Sequence, residues 1–405
     1  MDSIILTLLT TGLAPVVTAF FDRELEFFSN PNCSSSPSLN CSDYSLLYVK
    51  ALGRNDSLHY LWNSDHKPSL LLLESTKDSN LSITWPDFVN GSADSIRLTS
   101  PISYAFGLVI NKIIEFNDIG DTGFMNETSK ETLILSADNF KWRVKSFYQN
   151  PDSGTVNFEV TANGYSSEDI VKNGTISFLV SVFPSKDHGI DLPHLLHTAN
   201  STQIDMTIDH FTTAYPNSRF AVELAFVSSE TENSDLELKS KKSLDDEHSP
   251  GVFTVIELQT ENSKKGNVGG YLQWRPLVYT FNDRDYANST DTVHYHVENI
   301  TTEQENFLNN SLPFVFFEKN ISQLAVRAMN VSFGFKLDGF YRKSGYLSWS
   351  FLVGIGEPPV ESFSMLVLLI IGIGLGLPTL VIIGGFFFVV FRRLSRNKDE
   401  LFFSQ

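Results

Sequence analysis

Between Glu361 and Arg392 the chain carries no charged residue. The apolar core of that run, Met365 to Phe391, exceeds the roughly 20 residues a helix needs to cross the hydrocarbon of a bilayer. A buried core helix of this length would ordinarily keep one polar face. Residues 362–391 therefore read as a transmembrane helix. Arg392, Arg393, Arg396 and Lys398 follow at once, and basic residues flanking a span mark its cytoplasmic side. The upstream chain, 20–361, is then expected in a lumen, with 392–405 a short cytoplasmic tail.

The opposite end supports this topology. Met1 to Ala19 contains an apolar stretch, Ile4 to Leu9, then Gly12, Pro15 and the small-residue site Val17-Thr18-Ala19. That order reads as a cleavable signal peptide over 1–19, with Phe20 beginning the mature chain. The n-region is atypical, with Asp2 and no Lys or Arg. An uncleaved anchor is the alternative, and the stretch is too short and broken to span well.

Thirteen Asn-x-Ser/Thr sequons lie upstream of the span and none after it: Asn32, Asn40, Asn55, Asn80, Asn90, Asn126, Asn173, Asn200, Asn288, Asn299, Asn309, Asn320 and Asn330. Random ordering of the same residues would give roughly five, the pattern being so short. A sequon is used only in the secretory lumen, so this asymmetry and the charge asymmetry point the same way. No sequon lies between Asn200 and Asn288, which leaves a stretch free to be a contact face or a chance gap.

The net charge of −17 argues against a nucleic-acid partner, whose phosphates would be repelled. It suits an acidic lumen, where protonation eases self-repulsion, and equally a surface selected for solubility. Only two cysteines occur, Cys33 and Cys41. In an oxidising lumen they are expected to pair and close a small loop, leaving the rest of the fold to ordinary cores.

Short apolar segments punctuated by Gly, Asn, Asp and Ser run along the lumenal part. They include Leu46–Leu52, Leu58–Trp62, Ser69–Leu73, Leu81–Trp85, Tyr104–Phe116, Thr155–Ala162, Thr175–Phe183, Phe220–Val227, Tyr271–Phe281, Val293–Val297, Phe314–Glu318 and Tyr346–Val353. In one of them Val156, Phe158, Val160 and Ala162 alternate with Asn157, Glu159 and Thr161, the signature of a half-buried antiparallel strand. The expectation is an all-β ectodomain, an antiparallel sandwich in two lobes, plus one C-terminal transmembrane helix. The charged stretch 228–250 reads as a long exposed loop or as the lobe boundary.

Catalytic and metal signatures are weak. His194 and His197 stand three apart, and His294 and His296 alternate, yet neither pair has Cys or carboxylates at ligand spacing. Asp245, Asp246, Glu247 and His248 read as a solvated acidic loop before a cation site. There is no Gly-x-Ser-x-Gly elbow, phosphate-cradling loop or dinucleotide fingerprint. Paired glycosidase carboxylates depend on the fold and remain open at this point. No cofactor and no metal is expected. In the span, Gly372, Gly376 and Gly384 recur at multiples of four, with Gly374, Pro378 and Gly385 nearby. Small residues on one face let a second membrane helix approach closely, though glycine is also simply common in such helices.

Five segments together resemble one family. Ser57-Leu58-His59-Tyr60-Leu61-Trp62, Leu196-His197-Thr198-Ala199, Ser243-Leu244-Asp245-Asp246-Glu247 and Gln273-Trp274-Arg275-Pro276 are similar, in the same order, to segments of the glycosylated lysosomal membrane protein family. So is Tyr346-Leu347-Ser348-Trp349-Ser350 with Gly354, Gly356, Pro358, Pro359 and Val360 leading into the span. The resemblance implies a non-enzymatic type I lysosomal glycoprotein. Its expected role is an accessory subunit that accompanies a multi-pass major-facilitator transporter of dipeptides and shields it from lumenal proteases. Two departures stand out. Vertebrate members carry further ectodomain cysteines, and their tails end in a tyrosine-based sorting signal. This tail has no Tyr, and Asp399-Glu400-Leu401-Phe402-Phe403 is at most a degenerate acidic signal. A membrane-tethered lumenal hydrolase and a ligand-binding or adhesion ectodomain are the competing classes.

Overall fold

The computed structural model describes residues 21–35, 39–126, 130–243, 254–300, 307–363 and 365–402. The signal peptide, Phe20 and the acidic run at 245–248 lie outside the described residues. In chain order the strands begin with β1 (Glu24–Ser29), β2 (Leu46–Leu52), β3 (Asp56–Asn63), β4 (Ser69–Thr76), β5 (Leu81–Ile83), β6 (Ile96–Leu98), β7 (Ile102–Asn117) and β8 (Thr132–Ser136). The middle of the chain supplies β9 (Phe140–Gln149), β10 (Val156–Ser166), β11 (Val171–Val182), β12 (Asp187–His188), β13 (Leu196–His197), β14 (Ser201–Asp209) and β15 (Ser218–Thr231). Then come β16 (Leu236–Lys242), β17 (Thr254–Thr260), β18 (Gly270–Trp274), β19 (Leu277–Tyr279), β20 (Ser289–His294), β21 (Glu298–Asn299), β22 (Leu324–Phe333) and β23 (Tyr346–Ile355). Helices α1 (Trp85–Val89), α2 (Glu261–Lys264) and α3 (Leu312–Phe317) are short, and α4 (Met365–Phe402) is long.

Two antiparallel layers result. The first runs β1-β2-β3-β4-β7-β15-β22, with β8 continuing the β4 edge of β7 and β20 and β21 on the far side of β22. The second runs β9-β10-β11-β14-β23-β18-β17-β16, with β19 beside β18 on β23. Pairing of β19 with β20 joins the layers at one corner. Between them lies the main core. Trp62, Leu72, Phe106 and Phe226 from the first layer meet Phe158, Phe178, Met206 and Trp349 from the second. Alternation in β10 behaves as its pattern predicts: Val156, Phe158, Val160 and Ala162 are all buried in this core.

The first sheet is apolar on both faces. Its outer side, with Leu46, Leu61, Leu71, Leu73, Val109 and Val227, is roofed by Cys33, Trp85, Phe88, Leu312 and Val315 from three excursions of the chain. Their polar anchors are specific. Trp85 Nε1 donates to Pro31 O at 2.8 Å, Asn30 Nδ2 to Cys41 O at 2.8 Å, and the Leu312 amide to Ser69 Oγ at 3.0 Å. A disulfide joins Cys33 to Cys41 within this roof.

Several local expectations require correction. Phe314–Glu318 is not a strand: α3 occupies Leu312–Phe317, where Pro313 suits a first helical turn and Leu312 and Val315 share one buried side. The Leu81–Trp85 segment stops at Ile83, and α1 begins at Trp85 with Pro86 in its first turn. Arg275-Pro276 splits Tyr271–Phe281 into β18 and β19, since proline cannot donate to a central ladder. Val293–Val297 is displaced, with β20 ending at His294. In the stretch 228–250 the described residues, to 243, form no plain loop. Residues to Thr231 complete β15, and Leu236–Lys242 form β16, an edge strand whose charges guard an unpaired side. Strands on both sides of that stretch, β15 through Phe226 and β17 through Leu258, enter one continuous core.

Candidate interaction surface

The thirteen sequons fall unevenly on the two layers. Asn32 and Asn40 sit on the disulfide loop, Asn80 and Asn90 on the excursion that carries α1, and Asn309 and Asn320 beside and beyond α3. Asn299 lies in β21. Asn330 lies in β22, on the side opposite the core residues Met329 and Val331. These eight coat the roof of the first sheet. The remaining five, Asn55, Asn126, Asn173, Asn200 and Asn288, sit at strand ends and turns. Within the strands of the second sheet, Asn173 near the β10–β11 hairpin is the sole acceptor. Ten acceptors are exposed, and Asn200, Asn309 and Asn330 are half-buried. Asn80 and Asn200 accept hydrogen bonds through Oδ1, from Lys50 Nζ at 3.0 Å and Arg23 Nε at 2.8 Å. The Nδ2 atom that would carry sugar is thereby turned away from those partners.

The outer face of the second sheet is mostly polar over β9, β10, β11 and β14, while Leu352 of β23 is covered by Phe183 and Leu195. It presents Lys141, Arg143 and Lys145 from β9, Glu159 from β10, Ser177 and Leu179 from β11, and Thr207 from β14. A groove of about 1010 Å³ crosses it, walled by Ile190 and His194 on one side and Phe281 and Asn282 on the other. Three of the five carboxylates that line the groove are paired, Asp191 and Asp283 being the others. Glu159 binds Lys145 at 3.0 Å, Asp205 binds Arg284 at 3.1 Å, and Asp209 binds His210 at 2.6 Å.

The segment leading to the span is strapped onto this same sheet. Gly356, at φ +102°, turns the chain after β23, and its carbonyl accepts from Ser263 Oγ at 2.6 Å. Gln273 Nε2 donates to Pro359 O at 2.8 Å. Glu361 is held by Arg275 at 3.1 Å and His188 Nε2 at 3.0 Å. The last carboxylate before the apolar helix is thus fixed to Arg275, just after β18, and to His188 of β12, so the chain leaves for the span along the second sheet. Within α4, Met365–Arg393 is long and apolar enough to cross a membrane, three residues inside the start read from sequence. Gly372, Gly376 and Gly384 have open space where a Cβ would point.

The histidine pairs do not converge. His194 adopts φ +49° and faces Gly189 O at 2.7 Å, whereas His197 is buried and stacked on Phe183 with centroids 3.4 Å apart. Burial pushes His197 down to about 4. His294 lies edge-on to Trp274, and burial lowers its pKa; His296 is exposed beyond the strand. Among the described residues no group of three or more His, Cys, Asp or Glu is placed to hold a metal ion. Sequence reasoning overlooked the strap. Its signal was local: Gly354, Gly356 and the Pro358-Pro359 pair mark an enforced turn before the span.

The glycosylated lysosomal membrane protein family model matches residues 45–396. A zebrafish (Danio rerio) protein of that name is 30% identical over 386 residues, covering 93% of this chain and 91% of its own length. Glycosylated lysosomal membrane protein A of Xenopus laevis is 28% identical over 374 residues, covering 90% and 88%. The human protein of the family is 28% identical over 359 residues, covering 84% and 82%. The relatives are named as membrane proteins rather than enzymes, and the one helix among the described residues that is long and apolar enough to cross a membrane fits a single-pass anchor. On a match spanning most of its length, this chain belongs to the glycosylated lysosomal membrane protein family.

Proposed function

We propose that this protein is a non-enzymatic accessory subunit: its lumenal domain and span bind a multi-pass transporter of the lysosomal membrane, a dipeptide carrier of the major-facilitator type, and shield it from lumenal proteases. The two-sided distribution of sequons carries this reading. Eight acceptors lie on the roof side of the first sheet, while the second sheet has one within its strands, Asn173, with Asn200 and Asn288 at its strand ends, and it holds the strap into the membrane. Glycans exclude protein contacts and proteases alike, so the coated side faces the lumen and the bare side is left for the partner. Dense β pairing adds protection, because a protease needs locally unfolded backbone. Gly372 and Gly376, about one turn apart in α4, would let a second helix pack closely within the bilayer, with Gly384 further round the helix.

Purification of the full-length glycoprotein from lysosomal membranes should recover one multi-pass transporter, identified by mass spectrometry. Deleting the protein should lower that transporter's steady-state level and raise its sensitivity to lumenal proteases. An unchanged level with unchanged protease sensitivity would overturn the reading.

A further inference from the structure

At the corner where β19 pairs with β20, a cavity of about 270 Å³ opens into the gap between the two sheets. Its floor is apolar and sealed: Phe220, Val278, Phe333 and Leu347 are all buried. Its rim is polar, with Thr280, Asp338 and Ser344, and two aromatic side chains, Phe281 and Tyr346, stand at the mouth. Phe281 is 47% exposed, a large ring left without an apolar cover.

Asn288, acceptor of the Asn288-Ser289-Thr290 sequon, is itself a wall of this cavity. The backbone around it is fixed. Its carbonyl accepts from the Thr280 amide at 2.9 Å and from Thr280 Oγ1 at 2.8 Å, and Asp285 caps the preceding turn through the Ala287 amide at 3.2 Å. Across the rim, Thr290 donates to Asp338, which also accepts from the Phe335 amide at 2.6 Å.

We infer that this cavity is the seat of the first N-acetylglucosamine of the chain's own Asn288 glycan. The chemistry matches in parts. An acetamido sugar has a methyl group suited to an apolar floor. Its ring hydroxyls suit a rim of hydroxyls and a carboxylate, and its C–H face suits an aromatic ring. The volume lies just below the roughly 300 Å³ at which pockets for drug-sized ligands begin, which is room for one sugar ring and little more. Covalent attachment at the wall supplies an effective concentration on the order of millimolar or higher, so weak intrinsic affinity suffices. The sugar would complete the open corner of the sandwich and act as part of the fold, a role independent of any membrane partner.

The test uses the full-length protein made in a eukaryotic secretory host. Native peptide-N-glycosidase digestion in heavy-oxygen water, followed by peptide mapping, gives a release rate for each site. The Asn288 glycan should be released about tenfold more slowly than that of exposed Asn173, equivalent to about 1.4 kcal/mol of protection, and Phe281→Ala should bring the two rates together. Endoglycosidase trimming to a single N-acetylglucosamine should leave Tm unchanged, while Asn288→Gln should lower it by about 2–4 °C. The inference is overturned if Asn288 is unoccupied, if its glycan is released at the Asn173 rate, if Asn288→Gln melts with the parent, or if trimming lowers Tm as far as Asn288→Gln does.

Discussion

Lys172 of β11 and Glu115 of β7 meet at 2.6 Å with their side chains 5% and 0% exposed, an ion pair that ties one sheet of the sandwich to the other. Glu115 also accepts from Ser218 Oγ and the Ala214 amide, both at 2.5 Å, and Lys172 donates to Thr212 O at 2.8 Å. Such a pair is costly to break because the survivor is left charged and dry. Lys172→Met should therefore destabilise the protein by about 3–5 kcal/mol. Replacing the exposed Lys145, whose pair with Glu159 is solvated, should cost about 1 kcal/mol or less. Denaturant unfolding of the two variants decides it; equal losses would mean that the inter-sheet pair is not a structural tie.

Two buried histidines make the fold sensitive to acid. Burial, and then the charge of Lys50, hold His59 at about 4. Its ring is bonded to Tyr48 Oη at 2.8 Å and Ser75 Oγ at 2.9 Å. His197 is held at about 4, first by burial. Both values lie below the ordinary 6.5, so between pH 6.5 and 4 the unfolded chain binds protons that the native state refuses. The histidine contribution is then full above pH 6.5 and falls on acidification, by about 3 kcal/mol for each histidine, against an opposite gain from the raised carboxyls of Asp65, Glu74 and Asp291. Asp118 works at a lower pH. Burial alone would raise it, but hydrogen bonds from Thr122, Gly123 and Arg219 outweigh that and hold it below 3.8. Its contribution is full above 3.8 and is lost as the pH falls from there through the lower native value. Tm measured from pH 7 to 4 should fall, and His59→Gln should flatten the slope even if it lowers the plateau; an unaltered slope would refute the assignment.

The glycine side of α4 makes a separable prediction. Replacing Gly372, Gly376 and Gly384 with Leu fills open space, so ectodomain melting should stay within error. Recovery of the transporter should fall several-fold, the scale set by the roughly 1 kcal/mol attributed to close helix packing or its hydrogen bonds in lipid. Unchanged recovery would move the interface wholly to the lumenal side.

Much of this architecture is readable in the chain, and the failures share one cause. Strict alternation in β10 announces a strand with one wet face, and the uncharged run announces α4. The roof over the first sheet escapes a sequence reading, although Leu70-Leu71-Leu72-Leu73 carries its signal: a continuous apolar strand has both faces covered. What supplies the cover is a matter of long-range packing, which also turns the Phe-rich segment at 312–317 into α3. Short apolar runs do not distinguish a strand from a buried helical turn. In β16, Leu236 and Leu238 alternate with Glu237 and Lys239, yet the charges outweigh the pattern and the edge strand reads as a loop. The Asn200–Asn288 gap hints at a bare surface. Only the sheet order reveals that β9, β10 and β11, from outside that gap, complete it.

The bare face of the second sheet is where a transporter would have to dock. Glu159→Asn creates an Asn-Val-Thr sequon on that face, one strand in from the β9 edge, since Val160 and Thr161 already follow. It removes only a solvated ion pair, so the fold should persist, with a new glycan confirmed by a mass shift. Co-purification of the transporter from lysosomal membranes should then fall at least about tenfold, as for a blocked interface, while Asn90→Gln on the coated side leaves it unchanged. Full recovery of the transporter by the Glu159→Asn variant, with its introduced glycan in place, would mean that the second sheet does not dock the transporter.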